Sequence, residues 1–134
     1  ADIDEVGWPQ CGEIDIMEFR GQEPNVNHGS LHGPGHSGAN AYTQRYVLPQ
    51  GRLDNGFHTY AIEWTPDSID WYLDDVLFHS GGPEDIEGEW VYDHPFYLIL
   101  NIAVGGGFVG PVGPDTEFPQ DMIIDYVRVY EDAR

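Results

Sequence analysis

Phe57-His58-Thr59-Tyr60-Ala61-Ile62-Glu63-Trp64 runs through Thr65-Pro66-Asp67-Ser68 and returns as Ile69-Asp70-Trp71-Tyr72-Leu73. In an extended chain alternate side chains share a face, so Tyr60, Ile62 and Trp64 line one side of the first run and Ile69, Trp71 and Leu73 one side of the second. Pro-Asp between the runs is turn chemistry: proline presets its own φ, and aspartate bonds to nearby backbone. The stretch reads as a β-hairpin with one buried side. Asp74-Asp75 makes a further turn, residues 76–79 return as a short strand, and 80–89 form a polar loop.

The same pattern extends in both directions. Upstream, residues 12–19 and 25–32 read as strands; Gly33-Pro34-Gly35 breaks the chain before a third run at 42–47. Downstream, residues 96–104 are apolar on both parities, as in a central strand covered on both sides, and Gly105-Gly106-Gly107 ends it. A Pro- and Gly-rich loop then leads to a final strand at 122–130. About eight short strands and no amphipathic helix of useful length give an all-β sandwich or barrel of two antiparallel sheets.

The 134 residues fit one domain. Asp and Glu number 24 against 5 Lys and Arg, a formal charge of −19, and the acid is spread along the chain. Nucleic acid is excluded as a natural partner, since phosphate binding needs clustered cations. Anionic polysaccharides meet the same repulsion; a neutral sugar polymer does not. Cys11 is the only cysteine, so no intrachain disulfide forms, and it reads as a small residue packed on a strand. The longest apolar stretch falls far short of the ~20 residues that span a bilayer, so no membrane partner is expected. The abrupt start at Ala1 reads as a mature or cut end.

Gly12-Glu13-Ile14-Asp15-Ile16-Met17-Glu18 carries the chemistry. Ile14 and Ile16 share one parity, Glu13 and Asp15 the other, and Glu18, five residues from Glu13, falls on the wrong one. A β-bulge at Ile16 or Met17 adds one residue and returns Glu18 to the face of Glu13 and Asp15. Three carboxylates crowded on one surface cannot all ionise easily, which suits acid and base work near neutral pH. A retaining glycosidase needs one carboxylate as nucleophile and a second as acid, then base, about 5 Å away. Spacing alone also leaves open an acidic face that is simply solvated.

Glu-Ile-Asp-Ile-Met-Glu resembles the bulged signature of glycoside hydrolase family 16, in the form typical of its laminarinase (endo-β-1,3-glucanase) branch. The resemblance continues through Gly7-Trp8-Pro9, Gly29-Ser30-Leu31-His32, the 57–64 run, Leu100-Asn101-Ile102-Ala103-Val104-Gly105-Gly106 and Ile124-Asp125-Tyr126-Val127-Arg128-Val129-Tyr130. It implies a jelly-roll β-sandwich with a sugar cleft across its concave sheet. It also implies Glu13 as nucleophile, Glu18 as acid/base and Asp15 as the assisting residue, in a secreted enzyme. Two departures stand out. The sequence matches only the later part of the family's catalytic domain, so either a second fragment of the same enzyme supplies the N-terminal strands or the chain is truncated. At Ser80-Gly81-Gly82, relatives carry bulkier residues.

Other residues are candidates for binding. Trp8 suits stacking on a sugar face as well as core packing, and His32 is placed by the resemblance in the cleft near the acid/base. Asn101, inside an apolar run, would need partners for a buried amide, sugar or backbone alike. His28, His32 and His36 recur every four residues, but the intervening Gly and Pro forbid the helix that would make them a zinc face. Asp125 shares parity with Ile123, Val127 and Val129, so it would be a buried carboxylate in need of a cation. The resemblance implies a structural Ca²⁺ there, completed by main-chain oxygens from near the start of the full domain. The expected activity is hydrolysis of β-1,3 bonds in laminarin-like neutral glucans. A mixed-linkage β-glucan hydrolase and a non-catalytic β-1,3-glucan recognition module on the same fold are the alternatives.

Overall fold

The computed structural model describes residues 3–131, which divide into two compact units at Leu98 and Ile99. The first unit opens with a single helical turn, α1 (Ile3–Val6), followed by six strands: β1 (Glu13–Glu18), β2 (Val26–His32), β3 (Tyr42–Val47), β4 (Tyr60–Thr65), β5 (Ser68–Leu73) and β6 (Val76–Gly81). They form two antiparallel three-stranded sheets, β1-β2-β3 and β4-β5-β6, each with its strands in sequence order.

The central hairpin is as read. Ile62 pairs with Trp71 and Trp64 with Ile69, and Ile69, Trp71 and Leu73 are fully buried along β5. Thr65 pairs with Ser68 across the Pro66-Asp67 turn, where their hydroxyls meet at 2.8 Å. The β5–β6 turn has both central residues, Asp74 and Asp75, at positive φ (48° and 65°), as a two-residue hairpin loop matched to the twist of its strands demands. β6 runs to Gly81, two residues beyond the expected end. Tyr42 explains the glycine at 81: a Cβ there would stand 2.7 Å from the Tyr42 ring, whose hydroxyl donates to the Ser80 carbonyl at 2.8 Å.

Apolar residues from both sheets meet in one core built on Leu31, Ile69, Trp71 and Tyr92, with Ile14, Tyr42, Ile62 and Phe78 against it. This is sheet-on-sheet packing, the two inner faces each supplying alternate residues. The loop after β6 closes the end of the sandwich. Trp90 Nε1 donates to the Pro66 carbonyl (2.7 Å), Trp64 Nε1 to the Tyr92 carbonyl (2.6 Å), and buried His36 meets the Tyr92 hydroxyl through Nε2 (2.7 Å) and the Glu87 carbonyl through Nδ1 (2.6 Å). Cys11 is buried, as expected, but in the turn before β1 rather than on a strand.

The expected strands at 96–104 and 122–130 are not formed, so six strands rather than eight occur among the described residues. Both segments carry strand-type residues, but a strand exists only when a neighbour completes its hydrogen bonds. Most of their apolar side chains are accordingly exposed, Ile99 at 69%, Ile123 at 75% and Val129 at 81%.

Candidate active site

β1 lies along β2 with Glu13 opposite His32, Ile14 opposite Leu31 and Asp15 opposite Ser30; the next pair is Glu18 opposite His28. Two residues of β1, Ile16 and Met17, thus face the single Gly29 of β2. That is the bulge the parity of the acidic residues demands. Directly opposed residues project to the same side of a sheet, so Glu13, Asp15, Glu18, His28, Ser30 and His32 share one face. Ile14 and Leu31 pack into the core on the other.

Each carboxylate has its own partner. Trp8, half-exposed in the turn before β1, donates its indole N–H to Glu13 Oε2 at 2.6 Å, and its ring is tilted against His32 with centroids 5.9 Å apart. The Ser30 hydroxyl donates to Glu18 Oε2 at 2.8 Å and in turn accepts from Thr43 Oγ1 on β3 at 3.0 Å. Because Ser30 stands opposite Asp15, this bond leans Glu18 back along the strand toward Glu13. Ser30 and Thr43 were not singled out from sequence. The parity of Ser30 with His32 was the available signal.

Asp15 is largely enclosed, its side chain 17% exposed. Burial, with the charges of Glu13 and Glu18 adding to it, pushes its pKa up to about 6 against the pull of His32. His32 Nε2 lies 3.1 Å from Asp15 Oδ2, within reach but off the line of an ideal bond, and that buried oxygen is otherwise unsatisfied. On the other side of the ring, the Gly38 N–H donates to Nδ1 at 3.0 Å. An accepting Nδ1 leaves the ring proton on Nε2, facing Asp15. Bonding to Asp15 raises the His32 pKa against the opposing effect of burial.

Asn101 and Asp125 belong to the second unit, and both are exposed and lie outside any strand. The buried amide and the buried carboxylate inferred from their apolar neighbours therefore do not exist in this structure: with no strand formed, parity does not turn them inward. No group of three His, Cys, Asp or Glu side chains suited to a metal ion occurs among the described residues. Two open hollows of about 350 and 370 Å³, one beside Trp64 and Pro95 and one beside His36 and Glu87, do not include the carboxylates.

The family model "Glycosyl hydrolases family 16" matches residues 3–128. The chain belongs to glycosyl hydrolase family 16. Within this family it is 46% identical to a beta-glucanase of Rhodothermus marinus over 92% of its own length and 46% of the relative's. Among solved structures, it superposes on the endo-β-1,3-glucanase of Pyrococcus furiosus with a TM-score of 0.84 at 50% identity, covering 88% of this chain and 47% of that one. The laminarinase catalytic domain of Thermotoga maritima gives 0.83 at 45% identity, with 87% and 49% covered. The expected fold class, an all-β jelly-roll sandwich, is that of these family 16 neighbours. The chain spans just under half the length of each of these three proteins.

Proposed function

We propose that the protein of which this chain forms part hydrolyses β-1,3-glucosidic bonds within laminarin-like glucans, with retention of configuration. The observation that supports this best is the bulge of β1, which brings Glu13, Asp15 and Glu18 to one face of the sheet beside the half-exposed Trp8 ring.

In this reading Glu13 is the nucleophile. The Trp8 N–H holds Oε2 and leaves Oε1 to attack the anomeric carbon, while Glu18 gives its proton to the departing glycosidic oxygen. A covalent glycosyl ester on Glu13 results. Glu18, now a carboxylate, takes a proton from water as the water oxygen attacks the same carbon and expels Glu13. Ser30 keeps Glu18 inclined toward the reacting bond through both steps. Asp15, whose pKa near 6 lets it hold or release a proton close to neutrality, adjusts the charge felt by Glu13. The half-exposed Trp8 ring offers the apolar side of a pyranose a surface to stack on. The charge of −19 favours a neutral polymer over a sulfated one, and a polymer that cannot enter a cell implies a secreted enzyme.

The test is release of reducing sugar from laminarin by the protein at its natural length, with a mixed-linkage β-glucan in parallel. Products from laminarin support the reading. Binding without products would replace it with a non-catalytic glucan-recognition role, and products from the mixed-linkage polymer alone would reassign the substrate.

A further inference from the structure

The bulge makes the three carboxylates a group, yet nothing on the carboxylate face explains why the chain bulges there. The opposite face does. Trp71, on β5 of the other sheet, is fully buried and donates its indole N–H to the Asp15 carbonyl at 3.0 Å. Asp15 is the last residue of β1 in register with β2 before the bulge, and register resumes at Glu18. The single residue of β2 opposite the bulge is Gly29, and it is the residue the indole lies against: a Cβ there would stand 2.7 Å from Trp71 Cδ1 and 3.1 Å from Nε1. Real Cβ atoms do not approach so closely, so Trp71 takes this position only because residue 29 has no side chain. The indole is also stacked on His79, its cross-strand neighbour, with centroids 4.6 Å apart.

From these contacts we infer that Trp71 is a positioning residue for the acid/base. Its N–H anchors the backbone at the start of the bulge and its ring fills the space that Gly29 leaves, so that Glu18 is delivered to the face of Glu13. Trp71 touches no substrate. It acts through the main chain of Asp15, from the far side of the sheet. This inference rests on the proposed role of Glu18, and its test is chosen to separate the two.

Trp71→Phe removes the N–H and keeps an aromatic ring in the core. In the protein at its natural length, kcat/KM is compared on laminarin, whose leaving oxygen needs a proton, and on a 2,4-dinitrophenyl β-laminaribioside, whose leaving group departs without one. Displacing Glu18 by about an ångström lowers kcat/KM on laminarin by roughly a hundredfold and leaves the dinitrophenyl substrate nearly unchanged. Equal losses on both substrates, or no loss on either, would overturn the inference. Gly29→Ala, which drives the indole off the strand while leaving Trp71 in the chain, gives the same contrast and serves if Trp71→Phe does not fold. A crystal structure of either variant decides independently of activity. Glu18 parted from Ser30 supports the inference even if the unaltered protein cleaves neither substrate, an outcome that would sink the proposed function alone. Glu18 still opposite His28 and bonded to Ser30 refutes the inference whatever the kinetics.

Discussion

The Ser30 hydroxyl and the Glu18 carboxylate are joined at 2.8 Å across two strands, although Ser30 is in register not with Glu18 but with Asp15. The offset makes the bond functional in the proposed mechanism, because it inclines Glu18 along the strand rather than leaving it upright over His28. Ser30→Ala removes the bond without disturbing the strand. Hydrogen bonds to charged groups are worth about 1.5–3 kcal/mol, so kcat on laminarin should fall by roughly ten- to a hundredfold. Steady-state kinetics at fixed pH checks this, and an unchanged kcat would mean that Glu18 is held by something else.

Trp8 serves Glu13 with its N–H and presents a half-exposed ring. Trp8→Phe keeps a ring for stacking and deletes the donor. The expected outcome is a fall in kcat of roughly tenfold or more with little change in KM, since the lost bond is to a charged reacting group. A rise in KM with kcat intact would assign Trp8 to binding alone.

Asp15 gives the protein a pH signature. Its folded pKa of about 6 lies above the ordinary 3.8, so the folded state binds this proton more tightly than the unfolded chain does. The resulting stability, roughly 3 kcal/mol at most, is fully present below about pH 3.8 and is lost as pH rises through 6. Bonding to Asp15 also raises the His32 pKa, which acts in the same direction. Asp15→Asn removes the effect, so the variant should gain on the parent between pH 4 and pH 7. Urea unfolding of both proteins at the two pH values measures it, and an equal difference at both would contradict the shift.

Asn27 is fully buried on β2, and neither atom of its amide has a hydrogen-bond partner. A buried polar group left unpaired costs about 1–3 kcal/mol. Asn27→Val, a β-branched residue suited to a strand, is therefore expected to stabilise the protein by about that amount. Thermal unfolding shows it as a raised Tm; a lowered Tm would mean that the amide is satisfied in solution.

Much of this was legible in the sequence, for reasons the structure makes concrete. Alternation of period two revealed the inner face of β5, because Ile69, Trp71 and Leu73 are buried against a second sheet and Asp70 and Tyr72 are not. The same parity showed that Glu18 could join Glu13 only through a bulge. The sequence did not reveal what holds the bulge: a glycine and a tryptophan 42 positions apart in the chain become partners only once the sheets are stacked. Ser30 escaped notice because a hydroxyl on a strand is common and its register offset from Glu18 is invisible without the pairing. Residues 96–104 and 122–130 misled in the opposite sense. Apolar side chains on both parities record what a segment packs against, but a strand forms only where a neighbour bonds to it, and none does so among the described residues. The burial inferred for Asn101 and Asp125 fell with those strands.

In the proposed mechanism Glu13 and Glu18 act together as nucleophile and acid/base. Its most direct test is the NMR spectrum of laminarin fragments in the first minutes of hydrolysis by the protein at its natural length, recorded beside Glu13→Gln. New reducing ends should appear first as the β-anomer, and Glu13→Gln should bind laminarin but release no product. Initial release of the α-anomer, or substantial turnover by Glu13→Gln, would contradict it.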